Sequence, residues 1–136
     1  MSLKAKFEQI NESSSLLESQ EVQKIADDIT HFCYNNKDDI LNDLQDEIQE
    51  LKTELDIHDS TGNNLQRVFE ELGDVLFVLG NLANRYHINS NEALKYSVQE
   101  FKRRIVYCED HYSGSDISNA SKTEMLSLWK EAKISE

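Results

Sequence analysis

Glu70-Glu71-Leu72-Gly73-Asp74-Val75-Leu76-Phe77 places two acids, Glu71 and Asp74, three residues apart and directly ahead of the apolar run Val75-Leu76-Phe77-Val78-Leu79. At about 100° per residue, positions i and i+3 share one helix face, so both carboxylates can address a single point in space. The run is apolar all round and predicts a buried helix. Acids at the mouth of a buried helix are costly unless paired or metal-bound, because desolvation disfavours the charged form. Gly73 lies between them; it costs helix stability and predicts close packing or backbone approach at that turn.

The preceding helical stretch carries a second pair, Glu47 and Glu50, at the same spacing. Four carboxylates can therefore meet across a helix hairpin. Hard oxygen ligands gathered in this way suit magnesium or manganese, and through the cation a phosphate substrate. In an acidic chain, an E-x-x-E pair is also the pattern of a solvated helix face. The Glu71/Asp74 pair beside an apolar run is what favours metal over that reading.

Working outward, Ile40, Leu44, Ile48, Leu51 and Leu55 recur at steps of four, four, three and four, which is a core stripe of one helix. Asp43, Glu47, Glu50 and Glu54 each precede one of these residues and form an acidic stripe beside it. An earlier helix is predicted from Leu16 to about Tyr34, with Leu17, Val22, Ile25, Ile29 and Phe32 on its apolar face, ended by the polar turn Asn35-Asn36-Lys37. The turn-rich segment from Asp56 to Asn64 is predicted as the loop between the acidic pairs. His58 and Asp59 in it are left outside the site. The next helix runs from about Leu65 to Tyr86, and Asn89 with Glu92 reads as the cap of another. In that helix Leu94, Val98, Phe101, Ile105 and Cys108 alternate at four and three, which turns Val98 inward. Ser121 and Glu124 form a capping box for a short final helix carrying Met125, Leu128 and Trp129, the last read as a core or interface anchor. Residues 1–15 are polar and Ser-rich and are expected to be a flexible segment ahead of a single domain over 16–136.

Composition agrees with an all-α fold. The 136 residues suffice for one sizeable core, with no proline and four glycines to punctuate β hairpins. A net charge of -12 argues against nonspecific nucleic-acid binding, so a nucleotide would have to be recruited through metal. Cys33 and Cys108 are too few for a disulfide framework or a zinc site and read as small buried hydrophobes. No stretch has the length of a membrane span and the amino terminus lacks the core of a signal peptide, so the cytoplasm is the expected compartment. Lys102, Arg103 and Arg104 concentrate three of the fourteen basic residues. They fit phosphate contacts, and equally salt bridges to the abundant acids.

With these residues in view, the chain resembles the MazG-type all-α nucleoside triphosphate pyrophosphohydrolases, most closely the carboxy-terminal domain of two-domain members. Asp46-Glu47-Ile48-Gln49-Glu50-Leu51 resembles the family's E-E-x-x-E helix, with Asp for the leading Glu, and Glu70-Glu71-Leu72-Gly73-Asp74 matches its E-E-L-G-D segment. The likeness continues through Asn81-Leu82-Ala83, Asn89 to Leu94, Phe101-Lys102-Arg103-Arg104 and Leu128 to Lys133, covering roughly Leu16 to Lys133. It implies a four-helix-bundle-like fold with a short extra carboxy-terminal helix and magnesium-dependent cleavage of an NTP or dNTP to the monophosphate and pyrophosphate. It further implies Glu47, Glu50, Glu71 and Asp74 as metal ligands and catalytic residues, a tilt of Arg103 and Arg104 toward substrate binding, and a homodimer or homotetramer. The sequence departs from the family where Asn and Lys are usual: Val98 and Glu100 stand there. The G-F-D-W segment is matched only loosely, by His31-Phe32-Cys33-Tyr34. These departures support an alternative, a degenerate member acting as a metal- or nucleotide-binding regulatory or interaction module. A purely structural acidic bundle is the third reading.

Overall fold

The computed structural model describes residues 2–11 and 14–135. The chain is all-α, about 80% helical, with no strand among the described residues. Its helices are α1 (Leu3–Glu8), α2 (Ser15–Thr30), α3 (Lys37–Thr61), α4 (Leu65–Arg85), α5 (Ser90–His111) and α6 (Lys122–Ile134), with a 3-10 turn at Ile117–Asn119 before α6. The four long helices and the short last one expected from periodicity and capping are present, with different ends for α2 and α3. In addition, Leu3–Glu8 is helical, its N-cap Ser2 accepting a hydrogen bond from the Ala5 amide. The chain forms two compact units, residues 1–91 and 92–136.

In the first unit, α4 packs against both α3 and α2. The contact with α2 is polar. Gln20 and Gln23 are buried, while Ile29 and Phe32, expected on the inner face, are exposed, Phe32 by 87%. The Gln20 amide donates to Asn84 Oδ1 (3.2 Å) and to the Ile88 carbonyl (2.7 Å), and its oxygen accepts from the Ser90 amide (2.8 Å). Gln23 donates to the carbonyls of Ser19 (3.1 Å) and Phe77 (2.9 Å) and accepts from Asn81 (2.8 Å). Buried amides are tolerated because each is partnered. The glycine that permits this approach is Gly80, not Gly73. A Cβ at Gly80 would meet Ser19 Oγ at 2.9 Å and Gln23 Nε2 at 3.1 Å, whereas at Gly73 it would meet nothing within 4 Å.

Helix α2 stops at Thr30, four residues earlier than expected, because His31 takes a left-handed C-cap conformation (φ 56°). Helix α3 instead runs on to Thr61, through most of the predicted loop. Lys52 pairs with Asp56 at 2.8 Å, and the Ser60 and Thr61 hydroxyls donate back to the carbonyls of Asp56 and Ile57. Those side chains extend the helix until Gly62 ends it at φ 69°. Of the run Val75–Leu79, only Val78 is buried; Leu76, Phe77 and Leu79 are exposed. The expected all-round burial fails because α2 and α3 pack on one side of α4, and among the described residues of this unit Leu76, Phe77 and Leu79 stay exposed.

In the second unit, the capping box of α6 is formed as expected: Ser121 Oγ accepts from the Glu124 amide and Glu124 accepts from the Ser121 amide. Cys108, Leu128 and Ala132 are buried there. Trp129 meets Phe101 at 5.4 Å between ring centroids and lies under the Arg104 guanidinium at 5.8 Å. Leu94, Val98, Phe101 and Ile105 are exposed, so Val98 does not face inward as the stripe implied. Cys33, in the first unit, is also exposed, against expectation.

Candidate functional site

The α3/α4 hairpin is held at its turn by Asn64, whose amide donates to both the carbonyl and a carboxylate oxygen of Glu54, each at 2.8 Å. That clamp sets the register of the two acidic stretches. Glu47, Glu71 and Asp74 then present one carboxylate oxygen each within 4.8 Å of one another. Glu50 adjoins them, hydrogen-bonded to Glu47 and within the field of Glu71. All four acids expected from sequence thus lie on one hairpin.

Electrostatically, the group is under load. Glu71 is only 8% exposed, and one oxygen of Glu71 and one of Glu47 are buried without a hydrogen-bond partner. Burial, then the hydrogen bond that protonated Glu47 donates to Glu50 and the charges of Glu50, Asp74 and Asp43, push the Glu47 carboxyl up to about 7. Burial foremost, followed by Glu50 and Asp74, also raises Glu71, with Arg67 opposing. Orphaned carboxylate oxygens converging in this way constitute a hard-oxygen donor set that fits a divalent cation.

Arg67 was not singled out from sequence. It sits one turn before Glu71 and approaches Glu54 (3.8 Å), Glu70 (3.5 Å) and Glu71 (3.8 Å), though its side chain is 61% exposed. The signal available was the i,i+4 spacing to Glu71.

Beside the acidic group opens a cavity of about 810 Å³ in the first unit, which Glu47 and Asp74 help to line. Its walls carry Asp27, Asp39, Asp43 and Asp46, the aromatics Phe32, Tyr34 and Phe77, and no Lys or Arg. The Tyr34 hydroxyl donates a short hydrogen bond to Asp43. Burial first, then that bond and the charges of Asp43, Glu47 and Asp27, raise the Tyr34 hydroxyl to about 12. Its volume lies within the range of small-molecule sites. An anionic ligand meets an acidic wall and needs a cation to enter.

Lys102, Arg103 and Arg104 belong to the second unit. Arg103 lies 3.5 Å from Glu100 and donates to the Ala132 carbonyl at 3.2 Å; Arg104 lies 3.6 Å from the same Glu100 carboxylate. The salt-bridge alternative is therefore realised for both arginines, through the acid that stands where the family usually has Lys. An anion reaching these guanidinium groups competes with Glu100.

A model of the "MazG nucleotide pyrophosphohydrolase domain" matches residues 11–108. The chain is also 40% identical over 68 residues to "Uncharacterized protein YabN" of Bacillus subtilis (strain 168), a match that takes in 48% of this chain and 14% of that protein. The match thus spans about a seventh of that relative's length. No helix among the described residues is long and apolar enough to cross a membrane. With the acidic hairpin formed and most of its length matched, the chain belongs to the MazG nucleotide pyrophosphohydrolase domain family.

Proposed function

We propose that this chain is a magnesium-dependent nucleoside triphosphate pyrophosphohydrolase acting in the cytoplasm. It would cleave an NTP or dNTP between the α and β phosphates, releasing the monophosphate and pyrophosphate. The observation that carries the reading is the convergence of Glu47, Glu71 and Asp74 within 4.8 Å, with buried, unpartnered oxygens on Glu47 and Glu71. Glu47, Glu50, Glu71 and Asp74 would hold the cation, magnesium or, with the same donors, manganese. When bound, the cation supplies charge neutralisation to phosphate oxygens and lowers the pKa of a water. The chain's own residues do the rest: the cavity beside the quartet orients the nucleoside, and one carboxylate of the quartet accepts the proton of the attacking water. Arg67 offsets part of the acidic charge at Glu71.

The test is pyrophosphate release from ribo- and deoxyribonucleoside triphosphates, with and without magnesium, by wild type and Glu71→Gln. Metal-dependent release that falls by about a hundredfold or more in the variant is expected, the scale of removing one charge-stabilising group. Unchanged turnover in Glu71→Gln would overturn the site assignment.

A second reading, a binding or regulatory module with little turnover, is favoured by one observation: Glu100 engages both Arg103 and Arg104. It would give magnesium-dependent stabilisation without pyrophosphate release. In either case a homodimer or homotetramer is proposed. Leu65, Phe69, Leu72, Leu76 and Leu79 recur on α4 at steps of four and three and are all exposed. A contiguous apolar stripe of that kind calls for a helical partner surface.

A further inference from the structure

We infer that the cavity beside the acidic hairpin selects nucleobases that present an exocyclic amine, and that Asp27, Tyr34 and Asp43 are its specificity-determining residues. This rests on the nucleotide reading above and adds the class of base. Cytosine, adenine and guanine carry such an amine; uracil and thymine do not.

Hydrogen-bonding capacity around the cavity is weighted toward acceptors. Both amide hydrogens of Gln23 are spent on the Ser19 and Phe77 carbonyls. Asn81 spends one of its two on Gln23, and Cys33 donates to the His31 carbonyl. The Tyr34 hydroxyl gives its hydrogen to Asp43, which leaves the phenolic oxygen to accept. Asp27, Asp39, Asp43 and Asp46 are acceptors when ionised. The wall therefore offers many acceptors and few open donors, Asn42 and the second hydrogen of Asn81 being those that the lining side chains retain.

Asp27, Tyr34 and Asp43 are grouped, since both acids act on the Tyr34 hydroxyl, and all three are half-buried and line the cavity. The N4 amine of cytosine brings two donors to such a group. Uracil places a carbonyl oxygen at the same position, lone pair against lone pair, and strands the acceptors it faces. A site built to bond a substrate N–H discriminates strongly against the analogue lacking it, because the unpaired groups stay desolvated. The absence of Lys and Arg from the lining removes the donors that would otherwise welcome a carbonyl.

Cytosine and uracil are close to isosteric, which makes them the pair to compare. Calorimetric titration of dCMP and dUMP into the full chain with magnesium reads base selection without requiring turnover. An affinity ratio of at least about tenfold in favour of dCMP is expected. Asp43→Asn replaces an acceptor with an amide that carries two donors and should bring the ratio toward one or below it. Asp27→Asn is a second variant should the first not fold, and magnesium titration of each checks that the acidic hairpin is intact. Equal affinity for the two monophosphates, no detectable binding of either, or an unchanged ratio in both variants would overturn the inference. A dCMP preference without pyrophosphate release from any triphosphate overturns the enzymatic reading alone. Release from dCTP and dUTP at equal kcat/KM overturns base selection alone.

Discussion

Gly73 and Gly80 lie on the same helix, and alanine at each should change stability in opposite directions. Alanine in a helix interior is favoured over glycine by about 1 kcal/mol through backbone entropy. At Gly73 a Cβ has nothing within 4 Å, so that gain is expected almost in full. At Gly80 the Cβ stands 2.9 Å from Ser19 Oγ and 3.1 Å from Gln23 Nε2. Neither neighbour gives way freely. Ser19 Oγ donates to the Leu16 carbonyl at 2.8 Å, and Gln23 ties α2 to α4 through Phe77 and Asn81. Displacing Gln23 breaks two interhelical bonds at about 1 kcal/mol each and adds about 1–2 kcal/mol of overpacking. Set against the helix gain, Gly80→Ala should destabilise by roughly 2–3 kcal/mol. Denaturant unfolding of the two variants beside wild type measures this, at constant protein concentration because of the expected oligomer. A Gly80→Ala variant as stable as Gly73→Ala would refute the close approach of α2 to α4.

Three further outcomes are expected. With Glu47 raised from 4.5 to about 7, the native state binds more protons than the unfolded chain between those values, so this group's contribution to stability falls as pH rises through the window. Magnesium requires the ionised form. Its stabilising effect should therefore grow over the same window; melting curves at pH 5 and 7.5, with and without magnesium, test both trends, and Glu47→Gln should flatten them. Ser121→Ala removes the α6 capping box and should cost about 1 kcal/mol, read by chemical denaturation; a cost near zero contradicts the cap. Leu72→Arg places a charge in the exposed α4 stripe and should shift the oligomer toward monomer in sedimentation velocity, whereas an unchanged distribution removes α4 from the interface.

The acidic quartet was legible because i,i+3 spacing survives translation into structure: a helix keeps Glu71 and Asp74, like Glu47 and Glu50, on one face. Helix α4 and the Ser121–Glu124 box were legible for the same local reason. What was not legible depended on partners distant in sequence. Gln20 and Gln23 read as surface residues until their matching three-residue step to Asn81 and Asn84, with Gly80 between the helices, is seen to form a ladder. Gly73 and Gly80 cannot be told apart by propensity; only the neighbouring helix distinguishes them. Periodicity marks the apolar sides of α4 and α5 but does not say what covers them, and the exposure of Leu76, Phe77, Val98 and Phe101 follows from that gap. Arg67 and the Tyr34–Asp43 pair are not legible in sequence because each takes its meaning from acids brought near by the hairpin or by the α2–α3 connection.

A metal centre on the acidic hairpin is tested most directly by a manganese titration followed by electron paramagnetic resonance, comparing wild type with Glu71→Gln and with magnesium as competitor. Saturable loss of the free-ion signal is expected in wild type, reversed by magnesium and abolished or weakened by about tenfold or more in the variant. Equal manganese binding by both proteins, or none by wild type, would contradict a metal centre built on Glu47, Glu50, Glu71 and Asp74.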